Sequence, residues 1–377
     1  MNTAIEAHPV QFHGSGGQYF RIWIVNVLLG IVTLGLYTPW ARRRTVQYFY
    51  QNTEMAEGQF EFTAPIRRMV VGFLLFGGLY LAWNLASQSD HPQTRLLGSG
   101  LMLLAFLALP WLWASAMRFR LGHTRWRGLR LRFAPGAGEL YMASWPLLAL
   151  PVLGFAAGMS LSAIRTYTPL GVAGLVLASL VLALLCLALL QYNYARLLVL
   201  RTHVGAQQGR WKVERAAYLR IALQAAGLGG LLMAGLLACA WLLIGGAGLF
   251  QPGRASAIAG LVLAAASWFL ALGPALAWGG GRTFPLLWDH TRVAPVADGD
   301  GGGGCAGVVA LRMRNTFLTY LTLGFYRPFA RVNVYRMKCE SVTLHLRGSA
   351  DALAGALARQ QDEGGFGDAL AGGVGLD

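Results

Sequence analysis

Side chains able to do acid–base or metal chemistry are scarce in this chain, and they stand outside its long apolar segments. None of the 16 Asp and Glu residues lies inside such a segment, and neither does any His. Ionisable groups buried in a bilayer are costly and usually functional, so this pattern argues against a proton relay or a buried hydrolase. The best acid–base candidate is Asp289–His290, beside Arg292. A solvated loop explains that pair more simply, so we predict no enzyme activity, metal site or cofactor.

A different set of polar side chains recurs in a motif that the chain contains twice. "TLGLYTPWARRR" occupies residues 33–44, and "TLGFYRPFARVN" occupies residues 322–333. An Asn holds a matching upstream position in each copy. We predict that the two copies frame a binding or permeation site, with these residues available: Asn26, Thr33, Tyr37, Arg42, Asn315, Thr322, Tyr326 and Arg331.

The chemistry of these groups limits what such a site would take. The Asn, Thr and Tyr side chains are neutral at pH 7, which favours a polar neutral solute or an amphiphile over a bare cation. The two Arg residues would also admit an anionic headgroup. The alternative is that the Asn amides only bond neighbouring helices, as amides in hydrocarbon do.

Other residues of the motif have structural roles. Gly35 and Gly324 allow a turn that a Cβ would obstruct, while Pro39 and Pro328 end any helix that precedes them. We predict that Tyr37, Pro39 and Trp40 pack near Tyr326, Pro328 and Phe329 as a pseudo-symmetric pair. Motifs on opposite membrane faces would instead indicate an inverted repeat.

The composition indicates an all-α polytopic membrane protein. Hydrophobic residues make up 55% of the 377 positions and charged residues only 12%. Six apolar runs have the ~20-residue length needed to cross a bilayer: 69–87, 96–117, 140–163, 170–192, 219–247 and 256–280. The segments 19–37 and 308–326 are more polar. We interpret them as re-entrant or interfacial, with two ordinary spans as the alternative.

Basic residues are distributed in alternate connections, which predicts the orientation. The connections 38–68, 118–139, 193–220 and 281–304 hold 19 Lys and Arg residues, whereas three intervening short loops hold one Arg each. The positive-inside rule places the basic connections, and both termini, in the cytoplasm. Orientation accounts for much of the net charge of +15, so no nucleic-acid partner is predicted. The Arg clusters at 42–44 and 125–132 also suit anionic lipid headgroups, and orientation alone is the alternative for them.

Weaker copies of the motif follow two central spans, at 110–133 and 192–214, with His123 and His203 in the place of Asn52. Each copy predicts a span, a basic-aromatic helix, a turn and a short alternating strand. The predicted cytoplasmic strands are 10–13, 59–62, 129–133, 210–213 and 342–346. The chain is thus divided into a motif unit (10–68), central spans (69–280), a linker (281–304), a second motif unit (305–349) and an acidic tail (350–377).

Three segments together resemble a known family: the opening "FHGSGGQYFRIW", the motif T-L-G-x-Y-x-P-W-A-R, and "NTEMAEGQFEF". They are similar to the YjgN-like family of bacterial inner-membrane proteins, and the likeness extends over most of the chain. The resemblance implies a multi-pass inner-membrane protein with a cytoplasmic C-terminus, and it carries no established activity.

Two functions are consistent with these features. The first is a transporter or channel-like protein, because paired, interrupted hydrophobic segments at corresponding positions are a pointer to a substrate site. The alternative is a membrane scaffold that binds anionic lipid or a partner protein through its basic-aromatic units. Membrane lipids are the expected partners, and the oligomeric state is left open.

Overall fold

The computed structural model describes residues 5–163, 169–204, 207–244, 273–289, 291–293, 297–300 and 305–347, with a few isolated positions. These residues form helices that rise from one β-sheet and return to it. The helices are α1 Gly16–Val32, α2 Thr38–Gln51, α3 Ile66–Ser87, α4 Pro92–Gly122, α5 Ala137–Ala143, α6 Trp145–Ala163, α7 Pro169–Leu200, α8 Arg215–Ile244, α9 Gly273–Asp289, α10 Cys305–Leu321 and α11 Arg327–Glu340.

Short strands separate the helix pairs and form a single antiparallel sheet of eleven strands. They are β1 Ile5–Pro9, β2 Gln11–Phe12, β3 Thr53–Met55, β4 Gly58–Phe62, β5 Thr124–Trp126, β6 Leu129–Phe133, β7 Thr202–Val204, β8 Gln207–Trp211, β9 Thr291–Val293, β10 Ala297–Asp300 and β11 Thr343–Arg347. From β2 the order runs through β3 to β11 in sequence and ends on β1. The predicted strands are present to within a few residues, and the strands that pair with them in each hairpin were missed.

The N-terminal segment closes this sheet into a ring. β1 pairs with β11, and β2, which follows one residue later, pairs with β3 at the opposite end of the order. Val10, between the two strands, donates its backbone N–H to Val342 O at 3.0 Å, and His13 donates to Asn52 O at 2.9 Å. Edge strands carry unpaired backbone groups that invite aggregation, and one continuous segment covers both edges here.

The first three β-hairpins begin in the same way. Thr53, Thr124 and Thr202 are each separated by one residue from the ends of α2, α4 and α7, and each hydroxyl donates to the carbonyl four residues earlier, at 2.5–2.9 Å. The first two hairpins then turn through two residues with positive φ, Ala56–Glu57 and Arg127–Gly128, as type I′ turns require. Because Arg201 precedes Thr202, Arg201 is the counterpart of Asn52 in the third hairpin, and the assignment of His203 to that position was wrong.

In the described residues, groups of two or three helices alternate with strands of the sheet and form a ring of five units. Unit 1 is α1–α2 with β3–β4, and unit 2 is α3–α4 with β5–β6. Unit 3 is α5–α7 with β7–β8, and unit 4 is α8–α9 with β9–β10. Unit 5 is α10–α11 with β11. Each helix packs against its neighbours in chain order, and α11 packs against α1. The helices of each unit begin after one strand of the sheet and end before the next.

Units 2, 3 and 4 contain the helices that are long and apolar enough to cross a membrane. In the described residues these are Ile66–Ser87, Pro92–Gly122, Ala178–Leu200 and Arg215–Leu236. Ala137–Ala143 and Trp145–Ser160, bent by 43° at the break between them, form either a broken span or a re-entrant loop. Four of the six predicted spans therefore correspond to candidate spans, and a fifth corresponds to the bent pair. Most of the sixth, 256–280, lies outside the described residues, as does the tail at 350–377 apart from isolated positions.

The stretch 281–304, predicted to be a linker, is largely regular structure. α9 continues to Asp289 and the strands β9 and β10 follow it. Four consecutive Gly residues at 301–304 dominated the sequence pattern there, whereas the strands are fixed by pairing with β8 and β11. Non-local pairing of this kind leaves little local signal.

Candidate functional site

The repeated motif forms the tip of a helical hairpin in both copies. α1 ends at Val32, and Leu34 and Gly35 then adopt positive φ values of 50° and 89°. Gly35 donates its N–H to Gly30 O at 2.7 Å, closing the helix end with a reverse turn. In the second copy Leu323 and Gly324 have φ values of 49° and 94°, and Gly324 donates to Thr319 O at 2.7 Å.

The motif Thr residues stabilise these tips from within. Thr33 Oγ1 donates to Leu29 O at 2.6 Å and accepts from the N–H of Tyr37 at 3.1 Å. Thr322 makes the same two bonds, to Leu318 O at 2.7 Å and from Tyr326 N at 2.9 Å. Both hydroxyls are therefore occupied in holding the turn that leads into the next helix.

The two Asn residues tie the helices of each hairpin together. Asn26 Nδ2 donates to Ala41 O at 3.5 Å, and Asn315 Nδ2 donates to Ala330 O at 3.3 Å. Asn315 is only 4% exposed. In both residues the Oδ1 atom is buried without a hydrogen-bond partner among the described residues. Both amides therefore bond a neighbouring helix, which was the alternative to a role in binding a solute.

The remaining predicted polar residues meet different partners. The Tyr37 hydroxyl accepts from Arg44 at 3.3 Å, and that of Tyr326 accepts from Asn333 at 3.4 Å. Arg42 is exposed. Arg331 donates to the Tyr19 hydroxyl at 3.2 Å. The structure thus brings the predicted site residues together within each hairpin, and it does not bring the two sets together in one cavity.

The two short hairpins lie side by side, but their contact differs from the predicted one. Phe329 stacks on Phe20 with centroids 5.6 Å apart, and it fills the space that a Cβ on Gly16 would need. Trp40 stacks instead on its own Tyr37. The predicted packing of Tyr37, Pro39 and Trp40 near Tyr326, Pro328 and Phe329 therefore does not appear as a ring contact across the two motifs. The helices α2 and α11 meet nearer the sheet instead, where Tyr335 packs on Phe49 with ring centroids 4.7 Å apart. Both motifs lie at the hairpin ends remote from one sheet, so the repeat is parallel and not inverted.

An aromatic cluster at the base of these hairpins was missed from the sequence. Phe12, Tyr19, Tyr48, Phe49 and Val332 are buried together, with Tyr335 packed against them. It joins the N-terminal strands to α11. Tyr48 and Phe49 follow the first motif by a few residues, and their adjacent aromatic side chains were the available signal in the sequence.

Burial perturbs two groups beside this cluster. Desolvation raises the pKa of Tyr335 to about 12, although its hydrogen bond with the Thr53 hydroxyl opposes the shift. Desolvation likewise raises the pKa of the Cys339 thiol to about 11. Both groups are therefore neutral at physiological pH and act as packing residues.

The tips carry large apolar side chains in a strained backbone conformation. Leu34 is 94% exposed and Leu323 is 91% exposed, and both have left-handed φ values that cost a residue with a Cβ roughly 1–2 kcal/mol. Gly or Asn would relieve that strain in water, but Asn is costly in hydrocarbon. The two Leu residues fit a tip that is surrounded by lipid.

The described residues contain no group of three or more His, Cys, Asp or Glu side chains placed to hold a metal ion. The exposed face of the sheet carries cations instead. Arg125 lies between Glu61 and Arg130 in the register, and Arg130 and Arg132 are exposed on the same strand.

Comparisons with known proteins agree with these features. Residues 7–373 match the family described as bacterial protein of unknown function, DUF898. "Inner membrane protein YjgN" of Escherichia coli strain K12 is 33% identical over 149 residues, which are 40% of this chain and 36% of that protein. Its Salmonella typhimurium counterpart is 29% identical over 183 residues, 47% of this chain and 45% of that protein. The chain therefore spans less than half the length of these relatives in the matched region. No solved structure matches it.

Proposed function

We propose that this chain, which belongs to the DUF898 family of bacterial proteins and is a multi-pass inner-membrane protein, provides a path for an amphiphile beside its two short hairpins. The observation that carries the proposal is the unequal height of the five units. Units 1 and 5 are neighbours in the ring, and both end in the strained apolar tips at Leu34 and Leu323.

Helix lengths support this difference in height. With a rise of 1.5 Å per residue, the 17 residues of α1 extend about 25 Å. By the same measure the 22 residues of α3 extend about 33 Å, which exceeds the ~30 Å of hydrocarbon in a bilayer. Arg42, Arg43 and Arg44 lie within two turns of the first tip, so only the tip enters the hydrocarbon. The ring is then open to lipid above units 1 and 5.

The polar groups of the motif favour an amphiphile over a polar solute. A polar solute needs a path lined by available hydrogen-bonding groups, whereas Thr33, Thr322 and the two Asn amides bond within their own hairpins. An amphiphile can keep its chains in the lateral opening while its head passes the tips. This supports the transporter hypothesis in its amphiphilic form.

We place the sheet and both termini in the cytoplasm. The four basic connections identified in the sequence are the segments that contain the β-hairpins and adjoining helix ends, and the positive-inside rule assigns such segments to the cytoplasm. Fusions of a phosphatase that is active only in the periplasm, and of a fluorescent protein that folds only in the cytoplasm, at residue 377 test this. Phosphatase activity there would contradict it.

Movement of lipid between the two leaflets of proteoliposomes, called lipid exchange below, tests the function. Vesicles containing a phosphatidylcholine with a fluorescent head are treated with dithionite, which bleaches only the outer leaflet. Protein-free vesicles should lose about half of the signal, and vesicles with the protein should lose nearly all of it. Bleaching equal to that of protein-free vesicles would contradict the proposal.

A matched pair of variants links exchange to the tips. Leu34→Ala with Leu323→Ala removes the apolar side chains but retains a Cβ, so the backbone strain is unchanged. Leu81→Ala with Leu85→Ala removes two exposed Leu side chains from α3. We expect the tip variant to slow exchange several-fold and the α3 variant to leave it unchanged. Equal effects would show that the tips have no special role.

One observation supports the alternative function, a membrane scaffold that binds anionic lipid. Arg125 and Arg130 are directly opposite in β5 and β6, and like charges in that position destabilise a sheet. An anionic lipid surface would offset their repulsion. Binding of the protein to phosphatidylglycerol-rich over neutral vesicles, with no exchange in the dithionite assay, would favour this function.

A further inference from the structure

A small cavity lies where unit 4 meets unit 5, between α9, α10 and α11. Its volume is about 210 Å³. Most of its lining is apolar, and its residues include Phe284, Pro285, Gly307, Val308, Met337 and Lys338. Lys338 is the only Lys or Arg residue among those that line it. It is also one of only two Lys residues in the chain, the other being Lys212.

Two cations converge on this cavity. The Lys338 amine lies over the Phe284 ring, 5.2 Å from its centroid. The Arg312 guanidinium lies against Gly280, another lining residue, in space that a Cβ on Gly280 would occupy. Arg312 also donates to Leu276 O at 3.5 Å. The missing Cβ of Gly280 thus admits a charged group between two helices.

Neither Lys338 nor Arg312 forms an ion pair with an Asp or Glu residue in the part of the chain that the structure describes. Burial lowers the pKa of Lys338, and the positive charge of Arg312 lowers it further. Placing two like charges together in a partly desolvated site is costly unless an anion joins them.

We propose that this cavity binds an anionic oxygen group, a phosphate or carboxylate, that is carried on an apolar chain. Lys338 and Arg312 would hold the anion, while Phe284, Pro285 and Met337 would contact the first part of the chain. The inference rests on the proposed function in one respect, since it names the headgroup that the protein would hold beside the proposed path: an anionic one.

The size of the cavity supports the binding of a headgroup and not of a whole lipid. Pockets that enclose drug-sized ligands measure about 300–1,000 Å³, so about 210 Å³ encloses one end of a molecule. The rest of the chain must leave the cavity towards the bilayer. The boundary between a full-height unit and a short one, where the ring opens to lipid, provides that exit.

Titration of the purified full-length protein in detergent tests this assignment without any transport step. The probes are dihexanoyl phosphatidate, dihexanoyl phosphatidylcholine and inorganic phosphate, with binding measured by calorimetry. We expect phosphatidate to bind at least tenfold more tightly than either other probe. Similar affinity for phosphatidylcholine would overturn the anionic group, and similar affinity for inorganic phosphate would overturn the apolar chain.

Substitutions identify the site. Lys338→Gln and Arg312→Gln should each weaken phosphatidate binding about tenfold or more, because each removes a hydrogen bond to a charged group. Lys212→Gln removes the other Lys residue, which is exposed, and should leave the affinity unchanged. Unchanged affinity in the Lys338→Gln protein would overturn the proposal.

A stability measurement separates binding from a structural role. Lys338→Met without ligand should unfold at the same temperature as the unaltered protein or a higher one, because it removes a desolvated charge. A lower unfolding temperature would show that Lys338 holds the fold together, and would overturn its assignment as a ligand-binding group. Phosphatidylcholine exchange that persists in Lys338→Gln, with phosphatidate binding lost, would separate this site from the path itself.

Discussion

Units 1 and 2 have the same structure where their helices meet the sheet, which we call the base, and they differ in the length of their helices. In both, a Thr follows the second helix, its hydroxyl bonds the carbonyl four residues back, and a two-residue turn leads into a five-residue strand. Above that base unit 2 continues into helices of 22 and 31 residues, whereas unit 1 turns back after 17. The strands at the base therefore form the ring, and the helix length sets how far each unit extends from the sheet.

Stability should depend on the short units more than on the tall ones. Tyr19 is 2% exposed and packs on Tyr48 and Phe49 at 5.3 and 4.9 Å. Tyr19→Ala should lower the free energy of unfolding by about 3–5 kcal/mol. Tyr80→Ala, at a position 54% exposed on α3, should change it by less than about 1 kcal/mol. Unfolding in detergent measures both, and comparable losses would remove the contrast.

An added methyl group should be tolerated less well at the base of the units than in the tall helices. A Cβ on Gly209 of β8 would overlap the backbone carbonyl of Val199, whereas a Cβ on Gly72 of α3 meets nothing within 4 Å. Gly209→Ala should destabilise the protein by about 1–3 kcal/mol. Gly72→Ala should be neutral or stabilising by up to about 1 kcal/mol. A neutral Gly209→Ala would show that the hairpin can shift on α7.

The Asn pair should matter modestly for folding. Asn26→Leu with Asn315→Leu removes two side-chain bonds to helix carbonyls and two buried oxygens without partners. A net hydrogen bond contributes about 1 kcal/mol and an unsatisfied buried group costs a similar amount, so we expect a change of about 1 kcal/mol or less. Lipid exchange should also persist. Loss of exchange in a folded double variant would restore the amides as site residues.

The smallest expected effect concerns the reactivity of a single thiol, that of Cys339. With its pKa raised to about 11, Cys339 at pH 8 should react with a maleimide at least about a hundredfold more slowly than a free thiol of pKa ≈ 8.5. The rate should rise with pH until about pH 11, because only the thiolate reacts. The measurement uses a variant with Cys186, Cys239 and Cys305 replaced by Ala. Rapid labelling at pH 8 would show that the base of unit 5 opens.

Local patterns predicted what local physics determines. Alternation in "LRLRF" predicted β6, and Gly with Pro in the motif predicted the breaks after α1 and α10. The closure of the sheet by Ile5–Phe12 was not predicted, because its partners are Thr343–Arg347 and Thr53–Glu54. No short-range signal identifies such partners. The sequence identified the polar residues of the candidate site but did not predict their contacts. Thr and Asn side chains can bind a solute, and the same side chains can bond the backbone at a helix end.

Ring closure by the two ends of the chain has a consequence for synthesis. β1 leaves the ribosome well before its partner β11, which begins at Thr343, more than 300 residues later. At 5–20 residues per second that delay is roughly 20–70 s. During this time β1 and, once made, β10 present open edges, while β2 can already pair with β3. Assembly in the membrane therefore finishes with a single late event, and a chain released before Thr343 would remain an unsealed sheet exposed to chaperones and proteases.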